Sequence, residues 1–377
     1  MNIKQTIRQN FLNIPGWRTN RHIVVIESDD WGSIRMPSRE AFEKLKTYGI
    51  KVENCCYCRN DSIATVNDLS LLFETLNSVK DKNNHAAVVT ANAVVANPDF
   101  EKIKTNDYTT YHYKLITESI PSLTGCEHSL SMWKEGNHNG FFVLQSHGRE
   151  HLNVARWMRY LEQGYEETRF AFDHGVYGLS TTITSEKRKS YLPAFDFENK
   201  DEERVANEIA KDGLRIFEVL FGFPSKSFIA PNYIWGKSLE KTLLESGVYY
   251  LQGQQRAIYK NPDSEHNRKR IRKMGGRSEL GLIDLCRNCK FEPSSAPDKD
   301  WVASCLHDIE NAFLWKHPAI VCSHRVNFIG AINPQNRDNG LKQLSKLLRE
   351  IVKRWPNVEF MSSNQLGDLI AQNNGEN

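Results

Sequence analysis

The sequence predicts an α/β fold, a single (β/α) barrel of seven to eight parallel strands with long loop insertions. Three observations lead there. Short apolar runs of β type recur along the whole chain, amphipathic helical patterns separate them, and no Pro/Ser/Gly linker or change of composition marks a second domain.

Eight runs carry the strand expectation: 22–28 (HIVVIES), 86–91 (AAVVTA), 141–146 (FFVLQS), 227–230 (SFIA), 248–252 (VYYLQ), 280–285 (LGLIDL), 319–323 (AIVCS) and 358–362 (VEFMS). Their apolarity is continuous rather than alternating, as suits parallel strands covered on both faces. Helices are expected over 69–79, 152–161, 202–220, 301–315 and 341–355. In the last, Leu341, Leu344, Leu347, Leu348, Ile351, Val352 and Trp355 form one apolar stripe, and Pro356 ends it. The expected organisation is an N-terminal extension over 1–20 and one barrel domain over 21–377. The spacers 92–140, 164–200 and 253–277 become insertions around the barrel mouth.

Composition narrows the function classes. The chain has 377 residues, 40% of them hydrophobic and 25% charged, which excludes a disordered or collagen-like protein. Its net charge of +3 argues against whole-surface nucleic-acid binding. The first twenty residues lack a secretory h-region, and no run suggests a membrane span, so a cytoplasmic protein without a transmembrane segment is expected. The C-x-x-C spacings at Cys55/Cys58 and Cys286/Cys289 allow a structural zinc site, with reduced thiols as the plainer expectation. The basic run 268–277 (RKRIRKMGGR) reads as a solvated loop or as a contact for an anionic part of a substrate.

Position singles out the chemical groups. Asp29 and Asp30 follow the first run, His147 and His151 follow the third, and His324 follows the seventh. Parallel barrels build active sites from such strand ends. The His147–His151 spacing would place both rings on one face of a helical turn. The bland alternative is that each is an ordinary cap or a satisfied structural residue. One carboxylate and two imidazoles would give a divalent metal, zinc first, three ligands and an open position. A second carboxylate then serves as general base and a histidine across the site as acid, the division of labour for metal-assisted hydrolysis of an acyl bond.

These residues resemble the polysaccharide deacetylase family, carbohydrate esterase family 4, whose domain is a distorted (β/α) barrel. Glu27-Ser28-Asp29-Asp30-Trp31 is similar to its motif Thr-Phe-Asp-Asp-Gly, His147 and His151 to its His-x-x-x-His, Cys322-Ser323-His324 to its Leu-x-His, and Phe228 to Tyr233 to its Phe-Arg-x-Pro-Tyr. The resemblance implies Asp29 as base, His324 as acid, and Asp30, His147 and His151 as metal ligands. Ile229 stands where the family has the arginine that orients the base, and Arg287 is a candidate replacement. Trp31 replaces the motif glycine, and Cys322 replaces the leucine of the acetyl pocket.

What the resemblance implies is a metal-dependent deacetylase acting on a carbohydrate, with an oxyanion contact from a backbone N–H at Asn232 or Tyr233. Trp31, Asn232, Tyr233, Trp235 and Arg287 are the expected substrate contacts, Trp31, Tyr233 and Trp235 by stacking, with core packing as the alternative for Trp235. Other readings are a C–N hydrolase or O-acetyl esterase acting on a non-glycan substrate, and a silent carbohydrate-binding barrel.

Overall fold

A computed structural model describes residues 10, 13–263 and 267–373; the rest of the expected 1–20 extension, residues 1–9, 11 and 12, lies outside the described residues. Nine strands form one parallel sheet: β1 (Ile23–Trp31), β2 (Val89–Ala93), β3 (Phe142–Ser146), β4 (Ser227–Phe228), β5 (Tyr250–Gln254), β6 (Ile283–Arg287), β7 (Cys289–Lys290), β8 (Ala319–His324) and β9 (Glu359–Met361). Their order is β6-β5-β4-β3-β2-β1-β8-β7, and β9 pairs with the start of β1. Only Asn288 separates β6 from β7, so the chain itself joins the two ends of the path. The result is a nearly closed barrel in which β6 and β7 act as one broken strand, giving eight around the ring. All eight apolar runs supply a strand of this sheet, with ends displaced by up to three residues.

The two faces of the strands follow their period of two. Val24 and Ile26 of β1, Val89 and Ala91 of β2, and Ala319 and Val321 of β8 belong to the outer core. Helices Val66–Asn77, Trp301–Leu314 and Pro334–Arg354 bury their apolar stripes there, including Leu344, Leu347, Leu348 and Ile351. Ile23 and Val25 point the other way and pack with Leu285, Ile320, Leu366 and Ile370. Helix Ser363–Asn373 brings the last two and closes that end of the barrel. Continuing the inner face toward the strand C-termini gives Glu27 and Asp29 from β1, Arg287 from β6, and Cys322 and His324 from β8. The register sets Asp29 directly opposite His324.

The structure bears on two expectations about surface chemistry. The first part of the basic run is not a loop: Arg268–Ile271 is a strand paired antiparallel with Arg256–Lys260, although Arg268, Lys269, Lys273 and Arg277 are solvent-exposed as expected. Arg272 is buried on Asp284 at 2.8 Å, and Arg270 reaches Asp284 at 2.9 Å and Glu240 at 3.4 Å. Those charges are consumed inside the fold. The two C-x-x-C pairs do not come together, and all eight cysteines are free. Among the described residues no helix is long and apolar enough to cross a membrane.

Candidate functional site

A cavity of about 250 Å³ opens where the strands end; Asp29, Asp30, His147, His151, Tyr233 and His324 are among its lining residues. The Asp pair is not beyond the first strand but inside it. In a regular strand its two side chains would face opposite ways. Here the pairing with β2 slips between Ser28 and Trp31, and Asp30 adopts a left-handed φ of 72°. This bulge turns Asp30 to the same cavity as Asp29, a use of irregular strand geometry that re-aims one side chain. Trp31 is turned the other way. It is fully buried, its Nε1 donates to Ser28 Oγ at 3.0 Å, and its ring packs edge-on against Trp133 and Phe142. The expectation of a sugar-stacking face at Trp31 is therefore wrong; the indole is core.

His147 and His151 do not sit on a helical turn. They lie in an irregular loop that leaves β3, with Gly148 at φ 102°, and the helix begins only after Asn153, whose side chain caps it. The loop nonetheless brings both rings to Asp30: each Nε2 is 3.5 Å from Asp30 Oδ1. One potential ligand atom from each of the three residues lies within 4.8 Å of the other two. His147 Nδ1 faces the Ile229 carbonyl oxygen at 2.8 Å, and a proton held there leaves Nε2 with a free lone pair toward Asp30.

Two features fit these residues to a metal ion. Asp30 Oδ1, which both Nε2 atoms face, is buried without any hydrogen-bond partner, a cost that a bound cation would offset. Burial also pushes His151 down to about 3, so its ring is neutral. Burial acts to raise Asp30 as well, but the charges around the cavity, Arg35 and His324 among them, outweigh it and hold the carboxyl well below the usual range. Neutral imidazole and ionised carboxylate are the forms a metal takes.

Asp29 is held differently. Arg287 grips it with Nη1 on Oδ2 and Nη2 on Oδ1, each at 2.7 Å, while its Nε donates to Glu27 Oε2 at 2.5 Å. Asn92 Nδ2 adds a bond to Asp29 Oδ1 at 2.8 Å. Burial alone would raise Asp29, but the Arg287 charge wins and keeps it at about 2. Arg287 thus lies beneath the base rather than open to a substrate. Sequence reasoning missed Glu27 and Asn92, although both lie on the inner face of strands it had located.

His324 Nδ1 lies 2.5 Å from Glu292 Oε1, and its Nε2 is 3.8 Å from Asp29 Oδ2. Burial acts to lower its pKa, but Glu292 and the two aspartates outweigh it and raise it well above the ordinary histidine value. Asn327 Nδ2 steadies Glu292 Oε2 at 2.7 Å. Glu292 is a second residue the sequence did not reveal; it sits just past β7, a strand too short to notice. Glu292, Cys322 and His324 also form a compact group of potential ligands. Its carboxylate is already bonded to the imidazole, and Arg287 Nη1 lies 3.3 Å from Cys322 Sγ, a poor setting for a second cation.

The remaining expected contacts divide. Asn232 is exposed on the cavity rim with φ 57°. Tyr233 lines the cavity and its hydroxyl accepts from Arg287 at 3.2 Å, but its backbone N–H is spent on the Ala230 carbonyl at 2.9 Å and is not an oxyanion contact. Trp235 is buried, with its Nε1 donating to Glu240 at 3.3 Å and its ring against Tyr259, so core packing describes it. None of residues 268–277 lines this cavity.

No protein-family model and no curated protein matches the sequence. Among solved structures, the chain is similar to a glycoside hydrolase/deacetylase candidate from Parabacteroides distasonis (8% identity over 94% of this chain and 72% of that one, TM-score 0.47). It is also similar to a polysaccharide deacetylase candidate from Mycobacterium smegmatis (9% identity, 96% and 94% coverage, TM-score 0.42). A third is the 4-alpha-glucanotransferase from Thermococcus litoralis (11% identity over 92% of this chain, TM-score 0.42), of whose length the chain spans 40%. Likeness at this level carries no functional information.

Proposed function

We propose that this chain is a metal-dependent hydrolase that removes an acetyl group, N-linked, from a carbohydrate. One observation carries the reading: Asp30, His147 and His151 converge while an ionised Asp29 and a proton-loaded His324 face each other beside them. The resemblance of the Asp-Asp and His-x-x-x-His elements supports it. A divalent ion, zinc by its preference for this donor set, supplies Lewis acidity that acidifies a water and polarises the acyl oxygen.

The protein's own groups do the rest. Asp29 takes the proton of the attacking water, held in place by the two-point grip of Arg287 and by Asn92. With Nδ1 toward Glu292, His324 presents Nε2 to the cavity and protonates the departing amine. Arg287 takes the place that Ile229 leaves vacant, which weighs against a silent barrel.

The deciding test is acetate release from a panel of N- and O-acetylated sugars by protein loaded with one equivalent of zinc. Release from N-acetyl sugars that stops on chelation and returns with zinc is expected. Release indifferent to chelator, or absent from every acetylated sugar, would contradict the proposal.

A second reading is favoured by one observation. No tryptophan lines the cavity; its aromatic residues are Tyr57 and Tyr233. A small non-sugar amide would need no indole platform, and adding such amides to the panel separates the two readings.

Glu292 gives the pH dependence a sign. Its carboxylate raises the His324 pKa, so the acid keeps its proton well above the ordinary histidine range. Glu292→Gln removes that charge, and the alkaline limb of kcat/KM is expected to move to lower pH, with the acidic limb in place. An unmoved alkaline limb would exclude His324 as the acid.

A further inference from the structure

Arg35 is a charged group that the proposed chemistry does not use. It lies four residues beyond Trp31, lines the cavity beside Asp30, and is only 8% exposed. Among the described residues its guanidinium makes no hydrogen bond and no ion pair within 4.0 Å. The ring of Tyr57, another cavity residue, lies 5.1 Å from its central carbon, and its stem passes Gly178, where an added Cβ would stand 3.3 Å from Nε. The side chain is thus packed along its length while its fork of five N–H donors has no acceptor.

Two carboxylates are near enough to act on it, but neither bonds to it. Asp30 belongs to the proposed metal ligands, and Asp61 is bonded through Oδ1 to Arg325 at 2.8 and 3.1 Å, with its Oδ2 buried and unpartnered. A guanidinium cannot shed its charge to escape burial, so an unbonded fork facing a cavity is a cost unless a ligand completes it. A planar or tetrahedral oxyanion is the complement of that fork. A second cation, Lys290, lines the same cavity; its ammonium lies 5.8 Å from the Trp301 ring, and it too has no ion pair among the described residues. Lys290 adds charge of the same sign without competing for the fork.

We propose that Arg35 sets substrate specificity by holding an oxyanion, carboxylate or phosphate, carried by the substrate beside its acetyl group. This deepens the deacetylase reading and rests on it for the reaction, although the binding step stands by itself. The anionic contact expected of the basic run 268–277 is thereby moved to a residue on the cavity wall.

Calorimetric titration tests it without turnover. The probes are an N-acetylated aminouronic acid, an N-acetylhexosamine 6-phosphate and the neutral N-acetylhexosamine, each added to zinc-loaded and zinc-free protein. Wild type is expected to bind one acidic probe on the order of tenfold or more tighter than the neutral one. Whether the uronate or the phosphate gains tells which oxyanion is meant.

Arg35→Met should bring that ratio close to one, and Arg35→Lys, which keeps the charge but not the fork, should fall between. In parallel, the kcat/KM ratio for acidic over neutral substrate should fall by a similar factor. If Arg35→Met does not fold, Arg35→Lys still reads the lost fork. Equal affinity of wild type for acidic and neutral probes, or a ratio that survives both substitutions, overturns the proposal. Arg35-dependent binding with no acetate release from any probe would sink the deacetylase reading and leave this one standing.

Discussion

Asp29→Asn is expected to lower kcat for acetate release by about 10²–10⁴-fold while the protein still binds one equivalent of zinc. The amide keeps the shape of the carboxylate and can still accept from Arg287 through its oxygen, but it cannot take a proton from water. Asp30, the neighbouring residue, should show the opposite pattern, because its Oδ1 faces both imidazoles: Asp30→Asn weakens zinc binding first. Parallel steady-state kinetics and zinc titrations on the two variants separate the roles. A loss below about tenfold for Asp29→Asn would remove Asp29 as the base.

Arg287→Met should be the most destabilising single change near the site. The guanidinium binds two buried carboxylates at once, Glu27 at 2.5 Å and Asp29 at 2.7 Å; its removal leaves Glu27 without a countercharge and Asp29 with only the more distant His324 at 3.8 Å. Losing one partner of a buried ion pair costs about 3–5 kcal/mol. The deficit has a pH signature. In wild type, burial already raises Glu27 despite Arg287, while Arg287 holds Asp29 at about 2. Without the arginine both folded-state values rise above their unfolded ones. The variant's folded state then binds the extra protons, so its stability recovers as pH falls and is lowest at neutral pH and above. Urea unfolding of variant and wild type at several pH values checks this. A deficit independent of pH would mean that packing, rather than charge, is what Arg287 provides. In surviving protein, the acidic limb of kcat/KM should also move up with the Asp29 pKa.

The sequence located the strands well because buried parallel strands are continuous apolar runs, and every such run became one. The period of two then places Asp29, Arg287 and His324 on one inner face, which is why chemistry legible as strand-end residues converges. What failed was orientation. Whether Trp31 faces cavity or core depends on a one-residue slip against β2 that no spacing announces. The His147–His151 spacing matches a helical turn, yet Asn153 caps the helix only afterwards, and that cap was a readable warning. Glu292 carries no sequence link to His324, 32 residues away; only the closure of the barrel brings them to 2.5 Å. The basic run misled because charge density in sequence says nothing of partners, and Asp284 and Glu240 absorb Arg270 and Arg272 inside the fold.

The proposed chemistry needs one metal position, and X-ray absorption at the zinc edge on protein loaded with one equivalent tests it most directly. Asp30, His147 and His151 predict a first shell of nitrogen and oxygen only, at about 2.0–2.2 Å, with two imidazoles that become one in His151→Ala. A sulfur neighbour at about 2.3 Å would instead place the ion on Cys322 or a C-x-x-C pair, and would contradict the proposed site.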